Sequence, residues 1–122
     1  MSKEFQSSKP IYMQIVDQVV IDILQGKQKS PEKLPSVRDM AVKMGVNPNT
    51  IQRAYGELER MNVVETRRGQ GTFVIENNAL LEDIKLSLQE EIIEDFINKM
   101  NKIGVKQTEI ITQVHHFLNR GI

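Results

Sequence analysis

Two amphipathic segments meet at a single glycine between Ser36 and Met61, and few architectures accommodate that junction. Ser36 opens the first segment with Asp39 three residues on, the spacing of a capping box, and Val37, Met40, Ala41 and Met44 recur at helical intervals to face inward. Gly45 stops it. The second segment starts almost at once in VNPNTIQRAY, where Asn47 is placed to cap and Pro48 suits a first helical turn. Its apolar stripe is Ile51, Ala54, Tyr55, Leu58 and Met61, while Asn49, Gln52, Arg53, Gly56 and Arg60 fall elsewhere. Two helices joined by so tight a turn form a helix-turn-helix. Gly56 costs about 1 kcal/mol against alanine inside a helix, and close approach of a neighbour is the one reason the pattern suggests.

The flanks extend this motif. Pro10 to Gln25 carries Ile11, Ile15, Val19 and Ile23, widened by Val16, Val20 and Leu24, so a helix is predicted with Gly26 as its stop. Gly26 to Pro35 is rich in breakers and lysine and reads as a surface loop. Asn62 suits the left-handed turn after the second motif helix. Val63 to Thr66 and Thr72 to Ile75 are β-branched and aromatic, and RRGQG between them supplies hairpin-turn glycines. A helix-turn-helix followed by a hairpin is a winged helix. Beyond Asn78, Leu81, Ile84, Leu88, Ile92, Phe96, Met100 and Ile103 recur every three or four residues up to Gly104, and Thr108 to Leu118 resumes with Ile111, Val114 and Phe117 or Leu118. The predicted fold is mainly α with a small β-hairpin: a winged helix over residues 1–76, then a two-helix extension over 77–122.

A chain of 122 residues has room for one core and little more. The absence of cysteine excludes disulfide frameworks and thiolate metal sites and fits a reducing compartment. The start MSKEFQSSK lacks the apolar centre of a signal peptide, and no run is long enough to span a bilayer, so a cytoplasmic location is expected. The formal net charge is zero, which first argues against a polyanionic partner. That average conceals a pattern. From Lys27 to Ile75 nine Lys and Arg oppose five Asp and Glu, whereas from Glu76 onward five oppose eight.

The basic middle directs attention to nucleic acid. In a helix-turn-helix the start of the second helix meets base edges and phosphates in the major groove. Asn49 and Thr50 supply hydrogen-bonding side chains there, asparagine can read adenine with two bonds, and free backbone N–H groups at a helix start favour an anion. No Asp or Glu occurs from Met40 through Gly56. The competing reading is that NPNT only caps a helix. Arg67, Arg68, Gly69, Gln70 and Gly71 form a second cluster, a hairpin tip that can bring guanidinium groups and bare backbone close to DNA, or else a plain solvated turn. GQG lacks the rest of any nucleotide-binding fingerprint. His115 and His116 are sequence neighbours that a helix projects about 100° apart, so they cannot chelate one metal as an i, i+4 pair does. Glu90, Glu91, Glu94 and Asp95 read as a solvated helix face. No catalytic constellation, metal site or cofactor motif emerges, and an enzyme is not expected.

At this point LPSVRDMAVKMGVNPNTIQRAYGELERMNVVETRRGQGTFV, Leu34 to Val74, closely resembles the DNA-binding domain of GntR-family bacterial transcription regulators, and the likeness extends back through SKPIYMQIVDQVVIDILQG to Ser8. The 47 residues after Ile75 resemble the YtrA-type subfamily, whose two short C-terminal helices serve dimerisation. The resemblance implies DNA contacts by Arg38, Asn49, Thr50, Arg68 and Gly69. Ser36 and Arg53 are phosphate candidates by position, with Arg67 and Gln70 completing the wing set. Pro48 stands where other branches have a polar contact residue, so that contact does not carry over. Pro31 and Glu32 replace a common proline-glycine-aspartate turn, and Asn62 replaces a usual glycine; both departures concern loop geometry.

What the resemblance implies is a homodimer on a two-fold symmetric operator of double-stranded DNA, a repressor of its own operon, often one containing an ABC transporter. Small modules without disulfides often bury their remaining apolar faces by association, and Leu81, Ile84, Leu88, Ile92, Phe96, Val114 and Phe117 are the expected contact stripe. The alternative is a protein-interaction module in which the winged helix is a scaffold and the acidic tail docks a partner.

Overall fold

A computed structural model describes residues 9–28 and 30–121 of the chain. The start read above for a signal peptide therefore lies outside the described residues apart from Lys9. Five helices and one hairpin follow in the order α1 (Ile11–Leu24), α2 (Val37–Met44), α3 (Pro48–Arg60), β1 (Val64–Arg67), β2 (Gly71–Val74), α4 (Asn78–Lys102) and α5 (Gln107–Asn119). This is the winged-helix order with a helical C-terminal region, as expected. The chain forms two compact units, Met1–Leu81 and Glu82–Ile122.

Local chemistry sets the element ends. Ser36 Oγ accepts from the Asp39 backbone N–H at 3.1 Å, and Asn47 Oδ1 accepts from the Asn49 N–H at 2.8 Å, so both motif helices start on the side-chain caps that the sequence offered. Gly45 closes α2 at φ 70°, and Asn62 closes α3 at φ 64°, a left-handed geometry that asparagine tolerates better than most side chains. The Val63 N–H then reaches back to the Leu58 carbonyl at 3.0 Å, turning the chain into the wing.

In the first unit α1 contributes Ile15, Val16, Val19, Val20 and Ile23 to the core, α2 contributes Met40, Ala41 and Met44, and α3 contributes Ile51, Ala54, Tyr55 and Leu58. Val63, Val64 and Val74 close it beneath the hairpin. Val37 and Met61, expected inside, are half-buried because they sit at helix ends.

Three expectations shift. Each strand is displaced by one residue towards the turn: Val64 pairs with Val74 and Arg67 with Gly71, which leaves Arg68, Gly69 and Gln70 as the loop. The segment read as a surface loop ends as a third rung of the wing: the Leu34 N–H donates to the Thr72 carbonyl at 2.8 Å, the Val74 N–H to the Glu32 carbonyl at 2.9 Å, and Leu34 is buried. In α5 the inward residue is Ile110, whereas Ile111 is 74% exposed. The helix also starts one residue before the expected Thr108, at Gln107, where Glu109 Oε1 accepts from the Lys106 N–H at 3.1 Å.

Candidate nucleic-acid interface

The exposed side of α3 presents Asn49, Gln52, Arg53, Gly56 and Arg60, and Thr50 is half-buried beside them. Asn47 and Pro48 fix the start of this helix, and Ile51, Ala54 and Leu58, all essentially inaccessible, fix its rotation. A further tie comes from Tyr55, whose hydroxyl donates to the Pro35 carbonyl at 2.8 Å and locks α3 to the approach of α2. Burial of that phenol raises its pKa to about 12. From the other end Glu59 lies within 3.4 Å of both the Thr66 N–H and its hydroxyl, joining α3 to the wing.

One expectation about this helix start is corrected. Free backbone N–H groups were expected there for an anion, but Pro48 has none, the Asn49 N–H donates to Asn47 Oδ1, and the Thr50 and Ile51 N–H groups both point to the Asn47 carbonyl. Whatever α3 offers a ligand at its start therefore comes from the Asn49 and Thr50 side chains and from the residual dipole. No acidic residue occupies the first turn.

Ser36 and Arg38 lie together at the start of α2, both exposed. The Ser36 hydroxyl oxygen is used as a cap acceptor, which leaves its proton available to a second partner. Arg38 is a cation in a first helical turn, where the dipole disfavours positive charge. Folding alone gives no reason for it.

In the wing, Gly69 adopts φ 77°, and the Gln70 N–H donates to the Arg67 carbonyl at 2.8 Å. Arg68, Gly69 and Gln70 form the exposed tip. Arg67 differs from the expectation of a second tip guanidinium. It is a strand residue whose guanidinium lies 4.2 Å from the centre of the Phe73 ring and 2.9 Å from Glu65. Arg60 is likewise committed, to Glu57, whose carboxyl is held below its ordinary range by that bond. Among the described residues no ion pair involves Arg38, Arg53 or Arg68.

Two residues near this surface escaped the sequence reading. Lys33 crosses over Gly71, whose φ is 122°; a Cβ there would fall 2.5 Å from Lys33 Cε. Tyr12, near the start of α1, stacks against Arg53 with 4.1 Å between guanidinium carbon and ring centre. Neither belongs to a local motif, so only the packing of distant segments reveals them.

The second unit has a different character. Ile92, Phe96, Val114 and Phe117 of the expected stripe are exposed, Ile84 and Leu88 are half-buried, and Leu81, half-buried at the end of the first unit, borders a recess there with Ile23 and Val74. Phe96, Met100, Ile103, Val114, Phe117 and Leu118 line an open apolar groove of about 530 Å³ between α4 and α5. His115 and His116 are exposed, and no cluster of three metal-ligating side chains occurs among the described residues. No helix of the described residues is long and apolar enough to cross a membrane.

Comparison with known proteins matches residues 11–74 to the model of bacterial regulatory proteins, gntR family. The chain is 45% identical over 121 residues to the HTH-type transcriptional regulator YhcF of Bacillus subtilis, covering 99% of this chain and all of that one. It is 41% identical over 102 residues to the transcriptional repressor YtrA of the same organism, covering 83% of this chain and 78% of YtrA. A solved GntR family transcriptional regulator from Listeria monocytogenes superposes with a TM-score of 0.82 at 40% identity, over 92% of this chain and 98% of that one.

Proposed function

This chain belongs to the gntR family of bacterial regulatory proteins and is a DNA-binding transcription regulator rather than an enzyme; from that premise we propose that it is a cytoplasmic homodimeric repressor acting at a two-fold symmetric operator. The single observation that carries the reading is the exposed face of α3, where Asn49, Gln52 and Arg53 stand together with the half-buried Thr50 beside them and no acidic side chain of the helix occurs before Glu57. A surface so ordered meets a polyanion without repulsion.

In the mechanism, α3 enters the major groove with its start leading, and Asn49 and Thr50 reach base edges. Ser36 and Arg38 grip phosphates from the start of α2, and Arg53 grips another from α3. These contacts supply affinity that is nearly independent of sequence. The wing tip, Arg68, Gly69 and Gln70, follows the adjacent minor groove, where the bare backbone of Gly69 permits close approach and Arg68 responds to groove width. Arg67, held between Phe73 and Glu65, stiffens the base of the tip.

Pairing of two chains follows from the second unit, with Ile84, Leu88, Ile92, Phe96, Val114 and Phe117 as its contacts and Leu81 at the edge of the first unit continuing the stripe. Two DNA-binding units then address half-sites about one helical turn apart. Repression is supported by the likeness to YtrA, and the regulated genes are proposed to include the protein's own operon, one with an ABC transporter.

Binding of paired variants to a duplex from the gene's own upstream region and to a random duplex tests the residue roles. Arg38→Ala is expected to weaken binding to both and to reduce the slope of log affinity against log salt by about 1, as the loss of one phosphate contact requires. Asn49→Ala is expected to relax preference at one base position, at about 1–3 kcal/mol. Equal loss on both duplexes for Asn49→Ala would remove it from the base-reading set.

A further inference from the structure

We propose that Tyr12 is a positioning residue for DNA binding, holding the Arg53 guanidinium on the α3 face; the inference rests on the reading of Arg53 as a phosphate contact. Tyr12 comes from the second position of α1, far from the helix-turn-helix in sequence, and packing of α1 against α3 brings its ring within 4.1 Å of the Arg53 guanidinium carbon. Pro10, Ile11, Tyr12, Asn49, Thr50 and Arg53 together border an open recess of about 370 Å³ at the starts of the two helices.

Stacking differs from ion pairing in what it leaves free. All five guanidinium donors lie in the plane of the group, so a ring against its face orients the side chain without consuming any of them. Arg67 and Arg60 show the contrast, since Glu65 takes the Nε–H of the first and Glu57 takes two donors of the second. Arg67 also lies over a ring, that of Phe73, but is paired with Glu65, whereas Arg53 lies over a ring and has no carboxylate partner among the described residues. An unrestrained arginine gives up much rotamer freedom when it binds a phosphate, and a side chain already ordered gives up less. Tyr12 therefore raises affinity without touching a base, and its effect is the same on every sequence.

Affinity for a labelled random duplex about two helical turns long at low salt provides the test, because phosphate contacts act on any sequence. Stacking at an exposed site corresponds to about a 2- to 5-fold change in affinity. Tyr12→Leu is expected to show that loss, Tyr12→Phe, which keeps the ring, to restore it, and Tyr12→Leu to add nothing in an Arg53→Gln background. Arg53→Gln alone is read first: unchanged affinity and salt slope would overturn the Arg53 contact and the role of Tyr12 with it. If Arg53→Gln does weaken binding, three outcomes would overturn the role of Tyr12 alone. They are no loss in Tyr12→Leu, an equal loss in Tyr12→Phe, which would assign the effect to the hydroxyl, and an undiminished loss in the Arg53→Gln background.

Discussion

Between Ile15 and Val74 the chain buries sixteen hydrophobic residues, while from Glu82 onward it buries Ile110 alone among the described residues. Both regions are amphipathic by spacing, yet only the first contains enough elements to cover its own apolar faces. Three helices and a hairpin enclose a core; two helices enclose a groove and leave Ile92, Ile103, Ile111 and Leu118 between 66% and 76% exposed. Apolar periodicity states which face requires a cover and is silent on what provides it. The first unit is expected to be stable as it stands, and the second to owe its stability to a second copy.

The largest expected effect separates the two regions directly. Leu58→Ala removes a fully buried side chain from the first unit and should cost about 2–5 kcal/mol in denaturant unfolding, whereas Ile111→Ala, on an exposed site, should stay within about 0.5 kcal/mol. A comparable loss from Ile111→Ala, at a concentration where the chains are single, would show that the tail has a packed core of its own. Next, Phe117→Glu places a charge in the apolar groove. Sedimentation should report single chains, and operator affinity should fall at least about 100-fold as the two half-sites become independent. Retention of the dimer would place the contact elsewhere.

A smaller effect is expected at the joint between α3 and the segment before α2. Tyr55→Phe removes the hydroxyl from the Pro35 carbonyl and should cost about 1 kcal/mol. The same phenol carries a pH signature. Its folded pKa is about 12 against 10 for an ordinary tyrosine, so its proton is lost first from the unfolded chain. Stability from this group is whole below pH 10 and declines as pH rises towards 12. Tyr55→Phe should flatten that decline in alkaline thermal melts. The smallest change is a gain: the close neighbour expected at Gly56 is not there, an added methyl meets nothing within 4 Å, and Gly56→Ala should stabilise by up to about 1 kcal/mol.

Much of the first unit was legible because its signals are local. Ser36, Gly45, Asn47 with Pro48, and Asn62 each fix an element boundary through bonds within a few residues, and all appear where the sequence placed them. Legibility failed where distant segments meet. The rung formed by Glu32 to Leu34 against β2 depends on pairing across about forty residues, and the stack of Tyr12 on Arg53 spans as many. Arg67 was read as a tip residue because strand ends shift by one with turn length, and a three-residue loop moves it into β1. In the tail the spacing named Ile111 as the inward residue, whereas the buried one is its neighbour Ile110. Of the interface itself, residue types and charge order were visible in sequence, but the engagement of the α3 N–H groups by Asn47 was visible only in three dimensions.

The division of labour between the two regions is tested most directly by the mass of the protein on a duplex from its own upstream region, measured by sedimentation while binding is titrated in salt. Two chains per duplex at saturation, with log affinity falling steeply as salt rises, is the expected result. One chain per duplex at saturation, or no saturable complex at low salt, would contradict it.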